Sequence, residues 1–208
     1  MGPLDLPKVK SLCIAGPPKS GKKLLIKALC SEMNAVLFDL SPVNINKVQD
    51  MNYFLNLVNN MARKLQPSVI FIDGAHLPFA KKISDIDMPN NPRKLGQYLV
   101  KNIVKKITKD DLVMLMATTN EPWNCNFGKL YQTYEKMYML PPIVDYNTCL
   151  MIWNKGLEAK KIYNFDLTPI AQLTRKYTTG DVLDIIEKHL NLRRRMKWVV
   201  VFIHYLKC

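Results

Sequence analysis

The sequence has few of the features that mark metal-binding, secreted or membrane proteins. Its five cysteines, at positions 13, 30, 125, 149 and 208, form no CxxC pair and show no metal-ligand spacing. The residues before Lys10 contain prolines and charges but no apolar core of signal-peptide length, and no run of 18 apolar residues occurs anywhere. We therefore expect an intracellular protein whose cysteines are free thiols in a reducing compartment.

Internal repeats and low-complexity tracts are also missing, and acidic residues are scarce. The 208 residues, 48% hydrophobic and 23% charged, are enough for one sizeable core. The 17 acidic residues face 30 lysines and arginines, which gives a net charge of +13. Such a surface favours acidic partners, including nucleotides, nucleic acid, anionic lipid and acidic protein tails, and the charge alone does not choose among them.

The most informative stretch is residues 12–25, LCIAGPPKSGKKLL, which reads as strand, tight turn and helix. Gly16, four residues, Gly21 and Lys22 match a phosphate-binding loop, in which backbone N–H groups cradle phosphates and the lysine reaches their oxygens. One position departs from the pattern, because Lys23 replaces the Ser or Thr whose hydroxyl binds Mg²⁺. The simpler alternative, a plain strand-to-helix turn, is less consistent with the full spacing. The predicted nucleotide-binding residues are Gly16, Pro17, Pro18, Lys19, Ser20, Gly21, Lys22, Lys23 and Leu24.

Two later apolar runs end in polar residues, Asp73 and Asn120. Continuous apolar runs are typical of strands buried on both faces of a parallel sheet. Asp73 then falls where the carboxyl end of a strand delivers a carboxylate to Mg²⁺, and Asn120 could orient the attacking water or contact the γ-phosphate. Both residues could instead serve a turn, Asn120 directly before Glu121 and Pro122. His76 follows Asp73 closely and is more typical of a surface or capping residue.

Strands and helices alternate along the chain, which predicts a parallel sheet with the site at its carboxyl edge. The predicted strands are residues 10–15, 35–40, 69–72, 112–120 and 136–140. The predicted helices are residues 22–33, 51–66, 93–107, one capped by Asp145, 166–176 and 179–195. The final apolar run suits a strand or an irregular tail.

The stretches GPPKSGKK, VIFID, MLMATTN, YEKMYMLPPIVDYNTCLMIW and YTTGDVLDII are together similar to the AAA family of ATPases. They resemble its Walker A, Walker B and sensor 1 motifs, the end of its second region of homology, and its helical lid. The resemblance implies an α/β P-loop NTPase fold with a parallel five-stranded sheet in the order 5-1-4-3-2, flanked by helices. It also implies a nucleotide-binding subdomain over residues 1–142, a small helical lid over 143–195 and an atypical tail over 196–208.

Within that family the chain resembles the IQ-and-AAA domain proteins, subunits of the nexin–dynein regulatory complex of ciliary axonemes. The likeness lies in GKK in place of GKT, LFDLSP, QPSVIFI and VDYNTCLMIW; the IQ segment is absent from this chain. The resemblance implies ATP with Mg²⁺ as ligands. Independently of the resemblance, a second ammonium at Lys23 beside Lys22 could partly replace the charge of Mg²⁺ at the phosphate, so we expect nucleotide affinity to depend less on Mg²⁺ than usual. The resemblance also implies axonemal or microtubule-associated partners, acidic tubulin tails among them, and a cytoskeletal location in a cilium or flagellum.

When the resemblance is carried over residue by residue, it implies that the loop binds phosphate, that Asp73 contacts Mg²⁺ and that Asn120 acts as sensor 1. Three positions depart from the family. Lys23 lacks the Mg²⁺ hydroxyl, Gly74 lacks the carboxylate that activates water, and Thr133 stands where the family presents an arginine finger. An arginine finger is worth about 10³ to 10⁵ in rate, and a positioned base about 10² to 10⁴. We therefore expect weak or absent hydrolysis.

The leading hypothesis is thus a nucleotide-binding AAA module that serves as a scaffold in a microtubule-based assembly. An active AAA ATPase that remodels protein or microtubules is the alternative, and it requires substitutes for Gly74 and Thr133, such as His76 or a partner's arginine. A basic nucleic-acid-binding P-loop protein is a weaker alternative, since the lysines are scattered and no base-reading motif is present.

Overall fold

The computed structural model describes residues 9–83, 85, 88–108, 110–142, 145–162 and 166–189. The chain divides into two compact units. The first comprises Met1–Gly16 and Lys22–Leu140, and the second comprises Pro17–Gly21 and Pro141–Cys208. The predicted tail over residues 196–208 and the end of the last predicted helix lie outside the described residues.

The first unit contains a parallel sheet. Its strands are β1 (Ser11–Ala15), β2 (Val36–Asp39), β3 (Ser68–Asp73), β4 (Val113–Thr119) and β5 (Lys136–Met139). Their order is β2-β3-β4-β1-β5, and every pairing is parallel. The predicted five-stranded sheet and its order 5-1-4-3-2 are confirmed. In this order β1 lies between β4 and β5, so the loop after β1 begins beside the end of β4.

Helices flank this sheet. They are α1 (Lys22–Glu32), α2 (Pro42–Ile45), α3 (Met51–Lys64), α4 (Pro92–Leu99) with a π-helical turn (Val100–Val104), and α5 (Phe127–Thr133); short 3-10 turns occupy Leu77–Phe79, Met88–Asn90 and Pro122–Asn124. The helix predicted over residues 93–107 is present, but it ends at Val104, and after its eighth residue α4 widens into the π-helical turn. Helices α2 and α5 were not predicted from the sequence. They span only four and seven residues, too few for a helical period to be recognised.

The core of the first unit follows the alternation of side chains along the strands. On one face of the sheet, Ile70 and Leu115 are fully buried and pack with apolar side chains of α3, α4 and α5. On the other face, Phe71 and Met116 pack with Ile26 and other side chains of α1. Burial on both faces explains why β3 and β4 read as continuous apolar runs in the sequence.

The second unit contains three helices in its described part, namely α6 (Tyr146–Ala159), α7 (Thr168–Leu173) and α8 (Thr179–His189). Asp145 caps α6 as predicted, its carboxylate accepting a bond from the Thr148 backbone N–H at 3.0 Å. Trp153 lies in the core of this unit, and its indole N–H donates to the Thr174 hydroxyl at 2.9 Å. The helix predicted over residues 166–176 is shorter than expected. No helix in the described part of the chain combines the length and apolar character needed to cross a bilayer.

Candidate functional site

Lys22 and Gly16 fix the two ends of the predicted phosphate-binding loop in the first unit. The Gly16 backbone N–H donates to the Thr119 carbonyl at 3.1 Å, which places the start of the loop at the end of β4. The Lys22 ammonium donates to the Gly16 carbonyl at 3.0 Å, and the residue is only 6% exposed. Burial lowers the pKa of Lys22, and the charge of Asp73 acts in the opposite direction. The Lys22 side chain is therefore bonded to the Gly16 carbonyl and buried instead of extending into solvent.

The loop residue Lys19 is held by α8 in the second unit. Its φ of +58° lies in the left-handed region, which strains a residue with a Cβ. Its carbonyl accepts a bond from the Gly180 N–H at 2.9 Å, and its ammonium pairs with Asp184 and, at 3.3 Å, with Asp181. Bonds to Asp184 and then Asp181 raise the pKa of Lys19. Any Cβ at Gly180 would lie 2.8 Å from the Lys19 carbonyl oxygen, so glycine is required for this close approach.

Asp73, the predicted Mg²⁺ ligand, is paired with Lys23. The Asp73 Oδ2 atom lies 2.7 Å from the Lys23 ammonium, and Oδ1 accepts a bond from the Thr118 hydroxyl at 2.5 Å. The Ser41 hydroxyl accepts a bond from the Asp73 N–H at 2.9 Å. Burial raises the pKa of Asp73, but the bonds from Lys23 and Thr118 and the Lys23 charge outweigh it, so the pKa falls below its ordinary 3.8. The carboxylate is therefore ionised at neutral pH and neutralised by Lys23.

Gly74, which follows Asp73, adopts a backbone conformation that disfavours a side chain. Its φ is +76°, and its carbonyl accepts a bond from the Leu77 N–H at 2.9 Å in a tight turn. A Cβ at this position would lie 2.7 Å from Leu77 Cδ1. A side chain at position 74 would therefore require movement of the backbone or of Leu77.

A cleft of about 310 Å³ opens beside Asp73, and its lining includes His76, Asn120 and Glu121. Asn120 is exposed and borders the same cleft as Asp73, as its position at the end of β4 predicted. His76 is buried, with Nδ1 2.8 Å from the Thr119 hydroxyl. His76 stands at the N-cap position of the 3-10 turn Leu77–Phe79, although its side chain makes no capping bond. The prediction of a surface residue is wrong, because the turn after β3 directs the ring toward the end of β4.

Thr133 is fully buried, and its hydroxyl donates to the Lys129 carbonyl at 2.8 Å within α5. It presents no group to a neighbouring molecule. Of the other predicted residues, Leu24 is 70% exposed on α1. The first unit holds Gly16, Lys22, Lys23, Leu24, Asp73 and Asn120, and the second holds Pro17, Pro18, Lys19, Ser20 and Gly21.

Sequence reasoning missed three residues that support these groups, namely Ser41, Thr118 and Asp184. Thr118 stands in register opposite Asp73 in the pairing of β3 with β4, so its contact could be read from the alignment of those strands. Asp184 follows Asp181 by three positions on α8, and that spacing places both acids on one helix face. Nothing in the sequence indicated that this face meets Lys19.

The chain belongs to the AAA family. The family model described as ATPase family associated with various cellular activities (AAA) matches residues 12–128. That range contains the loop, Asp73 and Asn120, and the match confirms the resemblance found in the sequence.

Individual relatives fall into two groups. The chain is 30% identical over 200 residues to dynein regulatory complex protein 11 of Mus musculus, covering 90% of this chain and 23% of that protein. It is 28% identical over 176 residues to spastin of Anopheles gambiae, covering 83% of this chain and 21% of that protein. The chain thus spans about a quarter of the length of these curated relatives.

Solved structures agree on the fold. The FIGL-1 AAA domain in complex with ADP matches with a TM-score of 0.69 and 19% identity, over 86% of this chain and 59% of that one. A structure reported under katanin self-assembly matches with a TM-score of 0.66 and 24% identity, over 86% and 57%. At these identities the likeness concerns the fold alone.

Proposed function

We propose that the chain is an ATP-binding AAA module that hydrolyses ATP slowly or not at all and acts as a structural or regulatory part of an axonemal dynein regulatory complex. One observation carries this proposal. The lysine of the phosphate-binding loop, Lys22, is in place, whereas the carboxylate that should serve Mg²⁺, Asp73, is already paired with Lys23 at 2.7 Å.

Nucleotide binding is supported by family membership and by the retained loop. Backbone N–H groups of such a loop, together with the start of the following helix, form a phosphate site, and the ammonium adds charge. Lys22 opens α1 and is ordered by its bond to the Gly16 carbonyl. The adenine preference is proposed from the family.

Weak hydrolysis is supported by three separate losses. Lys23 places an ammonium where the family has the hydroxyl that binds Mg²⁺. Gly74, in a left-handed conformation, stands where the family has the catalytic glutamate, and the buried Thr133 stands where it has the arginine finger. Loss of a positioned base and of an arginine finger each removes orders of magnitude in rate, about 10² to 10⁴ and about 10³ to 10⁵. Together they leave little turnover.

The axonemal assignment rests on the likeness to the dynein regulatory complex protein. The net charge of +13 adds support, since a basic module is attracted to acidic surfaces such as tubulin tails. Co-sedimentation with microtubules, compared with microtubules whose acidic tails have been removed by protease, tests this part. Binding that survives tail removal unchanged would contradict the proposed electrostatic contact.

The nucleotide part is tested by titrating a fluorescent ATP analogue into the purified chain and measuring phosphate release on the same samples. We expect saturable binding, loss of binding in Lys22→Ala, and phosphate release at the background rate. Lys27→Ala is the matched control, because Lys27 is an exposed lysine on the same helix. Equal binding by Lys22→Ala and the unmodified chain would refute a phosphate role for the loop.

The spastin relatives keep an active, remodelling ATPase as the alternative. Because Gly74 has no side chain, that function needs a base from another residue. His76 and Glu121 line the cleft beside Asp73 and are the neighbouring candidates. Phosphate release well above background that disappears in Asp73→Asn would favour this alternative over the scaffold.

A further inference from the structure

The AAA family usually binds nucleotide together with Mg²⁺, and the residues here do not fit that ion. Mg²⁺ requires oxygen ligands in a near-octahedral arrangement. Lys23 places an ammonium where the family has the hydroxyl ligand. Both Asp73 oxygens already have partners, one in Lys23 and the other in Thr118.

We infer that the Lys23 ammonium, which pairs with Asp73, takes the place of Mg²⁺ as the counter-ion of the nucleotide phosphates. The chain then binds nucleotide as a metal-free di- or triphosphate. This inference rests on the proposed nucleotide-binding function and names the ionic form of the ligand.

The charge balance around Asp73 supports this inference. A carboxylate beside a hydroxyl carries one negative charge and attracts a divalent cation. The pair of Asp73 and Lys23 is formally neutral, and a cation approaching the carboxylate meets the ammonium at 2.7 Å from it. The site therefore attracts a divalent cation less and a phosphate more than the usual AAA arrangement does.

The geometry lets Lys23 serve Asp73 and a phosphate together. Lys23 is the second residue of α1, directly after the loop lysine Lys22, and its side chain is 53% exposed. An ammonium has three N–H donors, so a bond to one carboxylate oxygen leaves donors for phosphate oxygens. The Thr118 hydroxyl holds the other carboxylate oxygen, which fixes the direction in which Asp73 presents its charge.

The test measures the affinity for the N-methylanthraniloyl derivative of ATP in two buffers, one with Mg²⁺ and one with EDTA. Coupling between two ligands typically changes affinity about 5- to 150-fold. We expect the 208-residue chain to differ by less than about 5-fold between buffers, and Lys23→Thr, which restores a hydroxyl, to bind more weakly in EDTA by more than that factor. Lys27→Thr makes the same change one helical turn further along α1, and we expect it to behave like the unmodified chain.

A second variant separates the role of Lys23 from damage to the site. Asp73→Asn leaves Lys23 charged, so binding in EDTA should persist or tighten; if Mg²⁺ were the operative cation, Asp73→Asn would instead weaken binding in Mg²⁺. An unmodified chain that loses more than about 5-fold of its affinity in EDTA overturns the inference while the proposed function stands. Absence of binding in both buffers overturns the proposed function and this inference with it.

Discussion

Replacing Gly74 by glutamate would return the catalytic carboxylate of the family to its usual place. We predict that Gly74→Glu destabilises the fold without producing an active enzyme. The glycine has a φ of +76°, and any side chain there begins with a Cβ 2.7 Å from Leu77 Cδ1. A restored carboxylate therefore requires movement of the backbone or of Leu77.

The magnitude follows from three contributions. The left-handed conformation costs a residue with a Cβ about 1–2 kcal/mol. Overpacking against Leu77 costs about 1–3 kcal/mol, and the reduced entropy of the unfolded chain returns about 0.4–1 kcal/mol. The three contributions leave a net loss of about 1–4.6 kcal/mol, below the ~5–15 kcal/mol that a domain typically has, so we expect the variant still to fold.

Urea denaturation measures this loss. At a slope of about 2 kcal/mol/M, this loss lowers the midpoint by about 0.5–2.3 M. Gly74→Ala should lose nearly as much, because the strain begins at the Cβ, and Gly128→Ala is the matched control since its Cβ would meet nothing closer than Asn126 Oδ1 at 3.4 Å. Phosphate release by Gly74→Glu should stay at background. A Gly74→Ala midpoint equal to that of the unmodified chain would refute the reasoning about the backbone.

Two further predictions concern ionisable groups. The pKa of Asp73 is lowered in the folded state, so its ionic contribution to stability is complete above the ordinary value of 3.8 and is lost as the pH falls through the folded-state value. The difference in free energy of unfolding between the unmodified chain and Asp73→Asn should therefore shrink on acidification. A difference that grows would contradict this. Burial, with a smaller effect of Cys125, raises the pKa of Cys13 to about 12. Iodoacetamide at pH 8 should therefore modify Cys13 only after unfolding, which peptide mass spectrometry measures. Rapid labelling of the folded chain would contradict this, because it would show that the thiol is accessible.

The sheet could be predicted because its signals are local. Each strand is a short apolar run, and the glycine spacing of the loop specifies which strand comes first. The strand order came from the family resemblance, since pairing between distant segments leaves no periodic signal in one sequence. Helix α5 and the π-helical turn after α4 were missed or misread because seven residues and one widened turn are too short to alter a helical pattern.

The residues of the site were predicted from the sequence, but the contacts between them were not. Lys23 and Asp73 were both recognised, but their ion pair depends on the first turn of α1 and the end of β3 lying side by side. Buried His76 was misjudged, since a histidine in a turn has no sequence signal that distinguishes a ring facing β4 from one facing solvent. Lys19 was predicted as a loop residue, and its partner Asp184 on α8 comes from 165 positions further along the chain.

The buried Thr133 has a consequence for any oligomer that contains this chain. AAA arginine fingers act in trans, from one subunit on the nucleotide of the next. On the alignment that places Thr133 at the arginine-finger position, a subunit with this residue bonded to the Lys129 carbonyl within α5 would supply no arginine to its neighbour. Beside catalytically competent subunits, such a subunit would leave only one of its two interfaces without an arginine finger, so its two sides would differ.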